Sequence, residues 1–453
     1  RNIVIWWENV YSWMSFGQAW LKWQQRMVCG NIARHGVRKI ESLVQFPARF
    51  EEIDLLGPAG EYHRQVVTSL SGLSEHPCPS GQQRVLEYRS ADAGSVKSAQ
   101  GHLVFREAVA ESLRRRDALA TDPDDILFFD DFIQAATFGL SLWSEGDSSY
   151  AVMVPFPGFP SARACANANG RVIPYFLEKG FGYMGDITMA TLQRTIEIIA
   201  STARPRVLIL QNPGPTGQLL SLESLQRCLE FAAEHSLVIF AQEDDSILHD
   251  KTFVSCRHVA AAMDLDVPVM TCFAMEDLDQ IGACGSFIHL QRASSFLPAE
   301  LTSSQKTAGV DAQAWISSFL TGIPEDSLSH EVAKKHCQRV REVLSVNATM
   351  AESKLNDDGI SCEKSNAGTH IFAQMVVKGF LMKKAISLSR PADDVYCSEL
   401  LVRTGLSTTP GCSYGQRPGT FHFRMSMLHS DSFELALDEV LQFHREHPHG
   451  WFS

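Results

Sequence analysis

The sequence predicts an α/β protein with a doubly wound, mainly parallel sheet in a large domain and a smaller α+β domain. Two observations lead to this prediction. Between Asp130 and His289, short apolar runs alternate with segments of helical periodicity, as in sheets whose strands are joined by crossover helices. A long helical stretch over residues 331–356 then leads into a second region with strand patterns of its own.

Four apolar runs lack the alternation of a half-solvated strand, and we expect them to be buried parallel strands. They are Tyr150–Val154, Arg206–Leu210, Leu237–Phe240 and Val267–Met270. Leu222–His235, which lies between the second and third runs, is expected to be one of the covering helices. His370–Val376 and Thr420–Ser426 are the expected strands of the second region.

These patterns divide the chain into an N-terminal arm (1–28), an N-terminal part of the small domain (29–90), a large domain (91–330) and a C-terminal small domain (331–453). In the arm, aromatic residues recur at helical spacing from Trp13 to Trp23, which predicts a helix packed on the body or on a second subunit. A membrane-binding or partner-binding arm is the functional alternative. A third interpretation treats residues 1–13 as a gene-model artefact, with translation beginning at Met14.

The composition excludes several classes of partner. The chain has 453 residues, is 45% hydrophobic and 20% charged, and carries a net charge of −12. This charge disfavours nucleic acid and anionic membranes as partners. No run of 18 apolar residues is present, so no membrane span is expected. The 11 cysteines are scattered without paired spacing, which favours a cytoplasmic protein over a disulfide framework.

Five collinear motifs resemble a known enzyme family. They are Gln100–Ala110, Val154–Phe159, Gln211–Gly217, Thr409–Ser413 and Phe421–Arg424. They are similar, in order, to Y-H-G-L-P-x-F-R-x-A-V-A, P-Y-Y-P-G-F, N-P-S-N-P-x-G, S-P-G-x-x-F and G-W-F-R of the 1-aminocyclopropane-1-carboxylate synthase-like branch of class I/II aminotransferases. The resemblance implies the fold type I of pyridoxal 5'-phosphate (PLP) enzymes and a homodimer. Divergent members of that branch occur in fungal secondary metabolism.

The resemblance places Met275 where the family carries its Schiff-base lysine. Val269–Gly285 is similar to the segment S-L-S-K-D-L-G-L-P-G-F-R-V-G, in which the lysine precedes the last glycine by ten residues. A thioether cannot condense with the cofactor aldehyde, because that reaction requires a deprotonated amine. No lysine occurs between Lys251 and Lys306, and Lys251 is a poor substitute because it follows the strand at an expected exposed position.

Two positions that hold the cofactor ring in the family are also changed. The aspartate of D-E-I-Y, which pairs with the pyridinium nitrogen, falls at Gln242, and a neutral amide does not hold that proton as a carboxylate does. The tyrosine of the same motif falls at Asp245. A shift of one residue would instead place Glu243 or Asp244 at the ring nitrogen, and this alternative stays open at the level of sequence.

The expected phosphate cup is acidic. The family places small residues at a helix N-terminus there, whereas this chain reads Phe129-Asp-Asp-Phe132, and the carboxylates of Asp130 and Asp131 beside a phosphate dianion are unfavourable. Asp130 could instead cap the helix. The arginine of F-R-V-G, which neutralises the phosphate, falls at Ala283.

Other positions of the same relic pocket are Phe132, Phe156, Asn212 and Gly214. The asparagine that bonds the ring oxygen falls at Gly214, because the loop is one residue shorter than in the family. Asn212 belongs to the preceding Asn-Pro pair and is expected to be a turn residue. An acidic cluster of Glu243, Asp244 and Asp245 with His249 is expected to be solvated, and no metal site is predicted.

One ligand-binding residue of the family is retained. Arg424 falls on the arginine of G-W-F-R, which holds the substrate α-carboxylate through two parallel donors. A structural salt bridge is the alternative role of Arg424.

The sequence therefore predicts an aminotransferase-like protein that uses no cofactor and binds a carboxylate-bearing small molecule, either as a PLP-independent enzyme or as a pseudoenzyme of specialised metabolism. Two other interpretations stay open. One is an active PLP-dependent aminotransferase or C–S lyase whose lysine is misaligned. The other is a non-catalytic partner subunit.

Overall fold

The computed structural model describes residues 100–144, 149–178, 186–199, 202–244, 253–273, 285–291, 307–321, 328–377, 379–427 and 433–446. All of these residues belong to one compact unit of the chain. The predictions for the N-terminal arm and for the N-terminal part of the small domain, which cover residues 1–90, lie outside the described residues.

The described helices and strands alternate through the first two thirds of the described chain. The helices are α1 (Leu103–Asp117), α2 (Phe132–Ser141), α3 (Pro160–Asn169), α4 (Asp186–Ile199), α5 (Leu222–Glu234), α6 (Cys256–Ala262), α7 (Val310–Thr321), α8 (Leu328–Asp357), α9 (Gly379–Leu388), α10 (Ala392–Thr404) and α11 (Phe433–Glu446). The strands are β1 (Ile126–Phe129), β2 (Tyr150–Phe156), β3 (Arg171–Phe176), β4 (Arg204–Asn212), β5 (Val238–Glu243), β6 (Val269–Phe273), β7 (Ser286–Gln291), β8 (Ser361–Cys362), β9 (His370–Met375), β10 (Thr409–Pro410) and β11 (Phe421–Ser426).

The large sheet has seven strands in the order β1-β7-β6-β5-β4-β2-β3. The pairs from β3 to β6 are all parallel, and β7 runs antiparallel to both of its neighbours. The prediction of a mainly parallel sheet is therefore confirmed, as are the four apolar strands. The sixth strand begins at Val269 and not at the expected Val267, and Pro268 between them has no N–H to donate to a ladder.

Both faces of this sheet are covered, which explains why its strands are continuous apolar runs. On one face, side chains of β2, β4 and β5 such as Val154, Ile209 and Phe240 pack in one apolar cluster with residues of α2 and α3. On the other face, their sequence neighbours, including Leu208 and Ile239, pack with residues of α5 and α6. This alternation decides which polar side chains meet at the strand ends.

The second sheet has four antiparallel strands in the order β10-β11-β9-β8. One face of the sheet buries Ile371, Ala373 and Phe423 against α8, α10 and α11. The long helix expected over residues 331–356 is confirmed as α8. The expected strand at Thr420 begins one residue later, because the backbone N–H and the hydroxyl of Thr420 both donate to the carbonyl of Arg417 and complete a turn.

The two sheets meet where the loop after β4 touches the segment before β9. The carbonyl of Gly217 accepts hydrogen bonds from the backbone N–H groups of Asn366 and Ala367. The side chain of Asn366 accepts from the N–H of Leu219 and donates to Gln218. This seam fixes the small sheet against the carboxyl ends of the parallel strands.

None of the helices within the described residues combines the length and the apolar character that a membrane crossing requires.

Candidate functional site

The candidate site lies at the carboxyl ends of β2, β4 and β5. Ligands of open parallel sheets bind at these strand ends. The side chains of Phe156, Gln211 and Gln242 belong to the sheet face that is covered by α2 and α3, because they continue the alternation of Val154, Ile209 and Phe240.

Gln242, which the resemblance places at the ring nitrogen, belongs to a buried amide chain. Its Oε1 accepts a hydrogen bond of 2.7 Å from Nε2 of Gln211. The Oε1 of Gln211 in turn accepts from the backbone N–H of Phe159 at 2.9 Å. Gln242 is 3% exposed, so this position holds a neutral amide with an internal partner.

Glu243, the alternative for the ring nitrogen, lies on the opposite face of β5. Its Oε1 accepts from the backbone N–H of Cys256 at 2.7 Å, and its Oε2 pairs with Nη2 of Arg116 at 3.0 Å. Arg116 also pairs with Asp117, whose other oxygen lies 3.3 Å from Nε of Arg257. The carboxylate of Glu243 therefore anchors α6 and belongs to a buried ion-pair network.

The N-terminus of α2, where the resemblance places the phosphate cup, is capped by a carboxylate. Oδ1 of Asp131 accepts from the backbone N–H of Gln134 at 2.7 Å, and Oδ2 accepts from the side-chain amide of Gln134 at 2.9 Å. The expectation that Asp130 caps this helix is wrong. Asp131 has the extended backbone of an N-cap residue, whereas Oδ1 of Asp130 accepts from the N–H of Gly309 at 2.8 Å. Phe132 points into the apolar cluster beneath α2.

The ring of Phe156 is surrounded by other parts of the chain. A Cβ added to Gly415 would lie 2.6 Å from two ring atoms, so the backbone at Gly415 lies directly on the ring. The guanidinium of Arg163 lies 5.4 Å from the ring centre, and Phe176 meets the ring edge-on at 6.0 Å. These contacts take up space that an aromatic cofactor would need to stack on Phe156.

Asn212 and Gly214 shape the loop after β4. Oδ1 of Asn212 accepts from the N–H of Leu220, and its Nδ2 donates to the carbonyl of Val254. The bond to Leu220 joins the two ends of the loop after β4, and the bond to Val254 connects the end of β4 to the segment before α6. Gly214 has no side chain to offer, and the nearest atom to an added Cβ would be the carbonyl oxygen of Gln211 at 3.9 Å.

Arg424 on β11 reaches across the seam toward the large sheet. Its Nε donates to the carbonyl of Pro215 at 2.9 Å, and its Nη1 donates to the hydroxyl of Tyr414 at 3.3 Å. The guanidinium lies 5.6 Å from the ring centre of Phe159 and 5.3 Å from that of Tyr414. At 9% exposure, Arg424 is more enclosed than a residue of an open cleft. The structure thus brings Arg424 to the strand ends that carry Phe156 and Gln242.

Three positions of the relic pocket, Asp245, Met275 and Ala283, lie outside the described residues, as do Lys251 and His249. Across the described part of the chain, no group of three or more His, Cys, Asp or Glu side chains could hold a metal ion.

The described residues do not fit a phosphate-bearing pyridine. The N–H of Gln134 at the expected phosphate cup is taken by Asp131, whose charge has the same sign as the phosphate. Gln242 offers a neutral amide to the ring nitrogen, and Gly415 lies on Phe156.

Arg163, Gln211 and Tyr414 were not predicted to be residues of the site. Gln211 could have been found, because it precedes Asn212 in a recognised motif and shares the face of Gln242. Arg163 is the one charged residue of the helix Pro160–Asn169, whose other residues are mostly small. That contrast could have indicated a role for Arg163. Tyr414 follows the Thr409–Ser413 motif directly, but only the fold shows that its hydroxyl meets Arg424.

The chain is similar in sequence to known aminotransferases. Residues 70–260 match the family model of aminotransferase class I and II. The chain is aminotransferase-like. It is 27% identical over 417 residues to the mitochondrial alanine aminotransferase of Saccharomyces cerevisiae, covering 86% of this chain and 67% of that protein. It is also 27% identical over 372 residues to human alanine aminotransferase 1, covering 78% of this chain and 74% of that protein.

A further relative is the inactive alanine aminotransferase of Saccharomyces cerevisiae. The aminotransferase-like chain is 27% identical to it over 369 residues, which cover 76% of this chain and 71% of that protein. These relatives are alanine aminotransferases, so the assignment to the 1-aminocyclopropane-1-carboxylate synthase-like branch stays a prediction.

Solved structures confirm the predicted fold. The alanine aminotransferase of Pyrococcus furiosus superposes with a TM-score of 0.64 at 18% identity, covering 85% of this chain and 97% of that one. The tyrosine aminotransferase of Leishmania infantum has the same TM-score at 17% identity, covering 85% and 88%. The aminotransferase-like chain therefore has the fold of type I PLP enzymes.

Proposed function

We propose that this aminotransferase-like protein has lost PLP-dependent transamination and binds a carboxylate-bearing small molecule at the strand ends beside Arg424. The observation that carries the first half of the proposal is the carboxylate of Asp131, which caps the helix at the phosphate cup. A phosphate dianion placed there would meet a like charge, at a cost of about 1 kcal/mol or more near the surface.

Two further features support the loss. The resemblance places Met275 at the position of the Schiff-base lysine, and a thioether cannot form the bond that holds the cofactor. Oε1 of Gln242 accepts a hydrogen bond from Gln211, and the side chain has no carboxylate that could pair with a pyridinium nitrogen. The name of one relative, the inactive alanine aminotransferase of Saccharomyces cerevisiae, is consistent with such a loss.

Arg424 supports the second half of the proposal. The hydrogen bonds from Arg424 to Pro215 and Tyr414 hold its guanidinium at the strand ends. A guanidinium presents parallel N–H donors that match the two oxygens of a carboxylate, so we expect Arg424 to contact the carboxylate of a ligand. The protein could use this contact as a PLP-independent enzyme of specialised metabolism or as a binding protein without catalysis. We further propose a cytoplasmic homodimer, and a non-catalytic partner subunit is the remaining form of the binding role.

One experiment tests the loss of the cofactor. The purified protein is titrated with pyridoxal phosphate while its visible absorption is followed, then reduced with borohydride, digested and analysed by mass spectrometry. We expect no aldimine band and no modified lysine in the large domain. The mitochondrial alanine aminotransferase of Saccharomyces cerevisiae is the positive control. A stoichiometric, specific adduct on one lysine of the large domain would overturn this half of the proposal.

A second experiment tests the carboxylate. Binding of propanoate is measured by calorimetry or ligand-observed NMR for the wild type, for Arg424→Met and for Arg171→Gln. Arg171 is an exposed arginine that donates to the carbonyl of Thr202, so its removal controls for the loss of one positive charge. We expect binding to be lost only in Arg424→Met. Equal binding by all three proteins would contradict the role of Arg424.

An active alanine aminotransferase is the second candidate, because the relatives that cover most of this chain carry that name. It requires a lysine other than one at position 275, and the borohydride experiment decides between the two.

A further inference from the structure

Asp393 is a buried carboxylate that holds the turn before β11. It lies at the start of α10 and is 0% exposed. Its Oδ2 accepts a hydrogen bond of 2.7 Å from the backbone N–H of Cys412 and one of 2.9 Å from Nε2 of Gln416. One carboxylate oxygen therefore fixes both ends of the short segment 412–416, which we call the Tyr414 turn.

Gln416 connects this carboxylate to β11. Because its Nε2 donates to Asp393, its Oε1 is the atom that lies 2.8 Å from Nδ1 of His422. An amide oxygen only accepts, so the imidazole donates through Nδ1. The ring of His422 stacks on Phe372 at 5.0 Å between ring centres, and Phe372 is paired with Arg424 in the register of β9 and β11. This chain of three hydrogen-bonded side chains ends on the strand that carries Arg424.

The Tyr414 turn makes two contacts with the guanidinium of Arg424. The hydroxyl of Tyr414 accepts from Nη1 of Arg424 at 3.3 Å, and the guanidinium lies 5.3 Å from the centre of the Tyr414 ring. Phe372 meets the same ring edge-on at 5.9 Å. From the large sheet, the N–H of Gly158 donates to the carbonyl of Tyr414 at 2.8 Å. A displacement of the turn would therefore move the side chain that orients the guanidinium.

The cost of Asp393 to the fold favours a role beyond stability. Burial raises the pKa of Asp393 from 3.8 to about 6, against the lowering effect of its hydrogen bonds. The carboxylate is therefore ionised at neutral pH at the expense of stability. A neutral acceptor would hold the same two donors without that cost. Ionisable groups kept in such unfavourable surroundings cluster at functional sites.

We propose that Asp393 is a positioning residue of the carboxylate site, because it holds the Tyr414 turn where Tyr414 orients Arg424 toward a ligand. This inference rests on the proposed function, since it takes the carboxylate contact of Arg424 as given. Asp393 itself touches no ligand, and its effect reaches Arg424 through Tyr414. When the turn is released, the guanidinium keeps its bond to the carbonyl of Pro215 but loses its second fixed point. A ligand carboxylate must then order the guanidinium as it binds, which weakens binding.

The test measures propanoate binding by calorimetry or ligand-observed NMR. We expect Asp393→Leu to bind propanoate about fivefold more weakly than the wild type, since the guanidinium is no longer ordered in advance. Asp393→Asn keeps an acceptor for both donors and should stay within about twofold of the wild type.

Asn356→Leu is the matched control, because it removes two hydrogen bonds from the opposite edge of the same sheet. Asn356 accepts from the N–H of Cys362 on β8 and donates to the carbonyl of the same residue. We expect this variant to lose stability and to keep the propanoate affinity of the wild type.

A double variant tests the path through Tyr414. Tyr414→Leu removes both the hydroxyl and the ring that contact Arg424, so adding Asp393→Leu to it should weaken binding by no more than about twofold further. A further loss as large as the one in the wild-type background would overturn the inference, because Asp393 would then act by another path.

The single variants can also overturn the inference. Equal propanoate affinity of the wild type and Asp393→Leu would overturn the role of Asp393 and leave the carboxylate contact of Arg424 standing. Equally weak binding by Asp393→Asn and Asp393→Leu would overturn it too, because the charge and not the hold on the turn would then matter. Absence of propanoate binding by the wild type would overturn the proposed function itself, and the role of Asp393 with it.

Gln416→Leu decides if Asp393→Leu does not fold, as judged by circular dichroism. It removes one of the two donors to Asp393 and the acceptor of His422, and it leaves the bond from Cys412 in place. Weaker propanoate binding by Gln416→Leu supports the inference, and wild-type affinity overturns it.

Discussion

Gln211 donates a hydrogen bond of 2.7 Å to Gln242 across the neighbouring parallel strands β4 and β5. Both amides are buried. This bond joins two neutral side chains at the carboxyl ends of β4 and β5.

This pairing predicts coupled effects of two substitutions on stability. Gln242→Leu removes the acceptor of Nε2 of Gln211, and Gln211→Leu removes the donor to Oε1 of Gln242 and the acceptor of the N–H of Phe159. Each buried polar group that loses its partner costs about 1–3 kcal/mol, so we expect both substitutions to lower the free energy of unfolding. Urea denaturation of both single variants and the double variant measures the coupling.

The control for that cycle is Gln193→Leu, because Gln193 is an exposed glutamine on α4 that bonds to His235. Its removal should change the free energy of unfolding by no more than about 0.5 kcal/mol. Strictly additive effects of the two buried substitutions would show that the amides do not interact in solution.

Gly217 and Gly359 have similar backbone conformations but different surroundings. Both have left-handed backbones, with φ of +74° and +79°. A Cβ at Gly217 would lie 2.1 Å from Oγ of Ser365 and 2.9 Å from the carbonyl oxygen of His370, whereas a Cβ at Gly359 meets nothing within 4 Å. Both alanine variants carry the backbone cost of roughly 1 kcal/mol, but only Gly217→Ala also forces the two sheets apart.

We therefore expect Gly217→Ala to lose at least about 2 kcal/mol more stability than Gly359→Ala, as measured by urea denaturation. Similar losses in the two variants would show that the loop after β4 can move away from the small sheet at little cost.

Much of the fold could be predicted from the sequence, because the buried parallel strands are local apolar runs. Tyr150–Val154 and Leu237–Phe240 are recognisable without any knowledge of their neighbours. The position of Gln242 at a strand end follows from the same local pattern. Its partner Gln211 lies 31 residues away. Gln211 stands in the recognised motif Gln211–Gly217, but only the pairing of β4 with β5 shows that it meets Gln242.

The parts of the site that were missed depend on contacts between the two sheets. Arg163 meets Ser413 across 250 residues of sequence, and Arg424 meets Pro215 across 209. The assignment of the helix cap failed for a different reason. Asp130 and Asp131 are adjacent and chemically identical, and only the backbone conformation decides which of the two reaches the N–H of Gln134.

The lowered pKa of His289 predicts that the protein loses stability in acid. It is 2% exposed and lies opposite Thr271 in the β6–β7 pair, where burial, followed by the charges of Arg257 and Arg116, lowers its pKa from 6.5 to about 3. The unfolded chain binds a proton below about pH 6.5 while the folded protein does not, so stability falls as the pH drops from about 6.5 to 3.

At about pH 5 the cost of keeping His289 neutral is on the order of 2 kcal/mol. We expect His289→Gln to remove this part of the pH dependence. The difference in unfolding free energy between variant and wild type should shift in favour of the variant by that amount between about pH 7.5 and pH 5. A difference that stays constant across this range would show that His289 is protonated in the folded state.

The raised pKa of Asp393 predicts the opposite trend, a loss of stability as the pH rises. It is 0% exposed at the start of α10, and its Oδ2 accepts from the N–H of Cys412 and from Nε2 of Gln416. Burial raises the pKa of Asp393 from 3.8 to about 6, against the lowering effect of these hydrogen bonds. Between these values the folded state binds the extra proton, so stability is lost as the pH rises from about 3.8 to 6 and stays lost above.

The full cost of ionising Asp393 is on the order of 3 kcal/mol above pH 6. An asparagine keeps the acceptor for Cys412 and Gln416 and cannot ionise. We expect Asp393→Asn to gain stability relative to the wild type by roughly this amount between about pH 4 and pH 7, as measured by urea denaturation at each pH. No change in the difference over this range would show that the carboxyl group titrates normally.

Met275→Lys alone should not restore transamination. The new amine would have a lowered pKa if it were buried without a partner, which favours condensation with an aldehyde. The cofactor, however, would still meet Asp131 at the phosphate cup and the neutral Gln242 at its ring nitrogen. We expect this variant to form at most a weak adduct with pyridoxal phosphate and to show no turnover of an amino acid.

Adding further substitutions to Met275→Lys one at a time separates the contributions of Asp131 and Gln242 to the loss of cofactor binding and transamination. Adding Asp131→Ser to Met275→Lys removes the like charge but keeps a helix cap, and it should tighten pyridoxal phosphate binding about fivefold or more, the equivalent of about 1 kcal/mol. Adding Gln242→Asp should then be required before the bound ring can stay protonated and any transamination appears. The mitochondrial alanine aminotransferase of Saccharomyces cerevisiae, assayed in parallel, shows that the assay detects turnover. Measurable turnover by Met275→Lys alone would mean that Asp131 and Gln242 do not obstruct the cofactor, and that the loss of activity rests on the lysine alone.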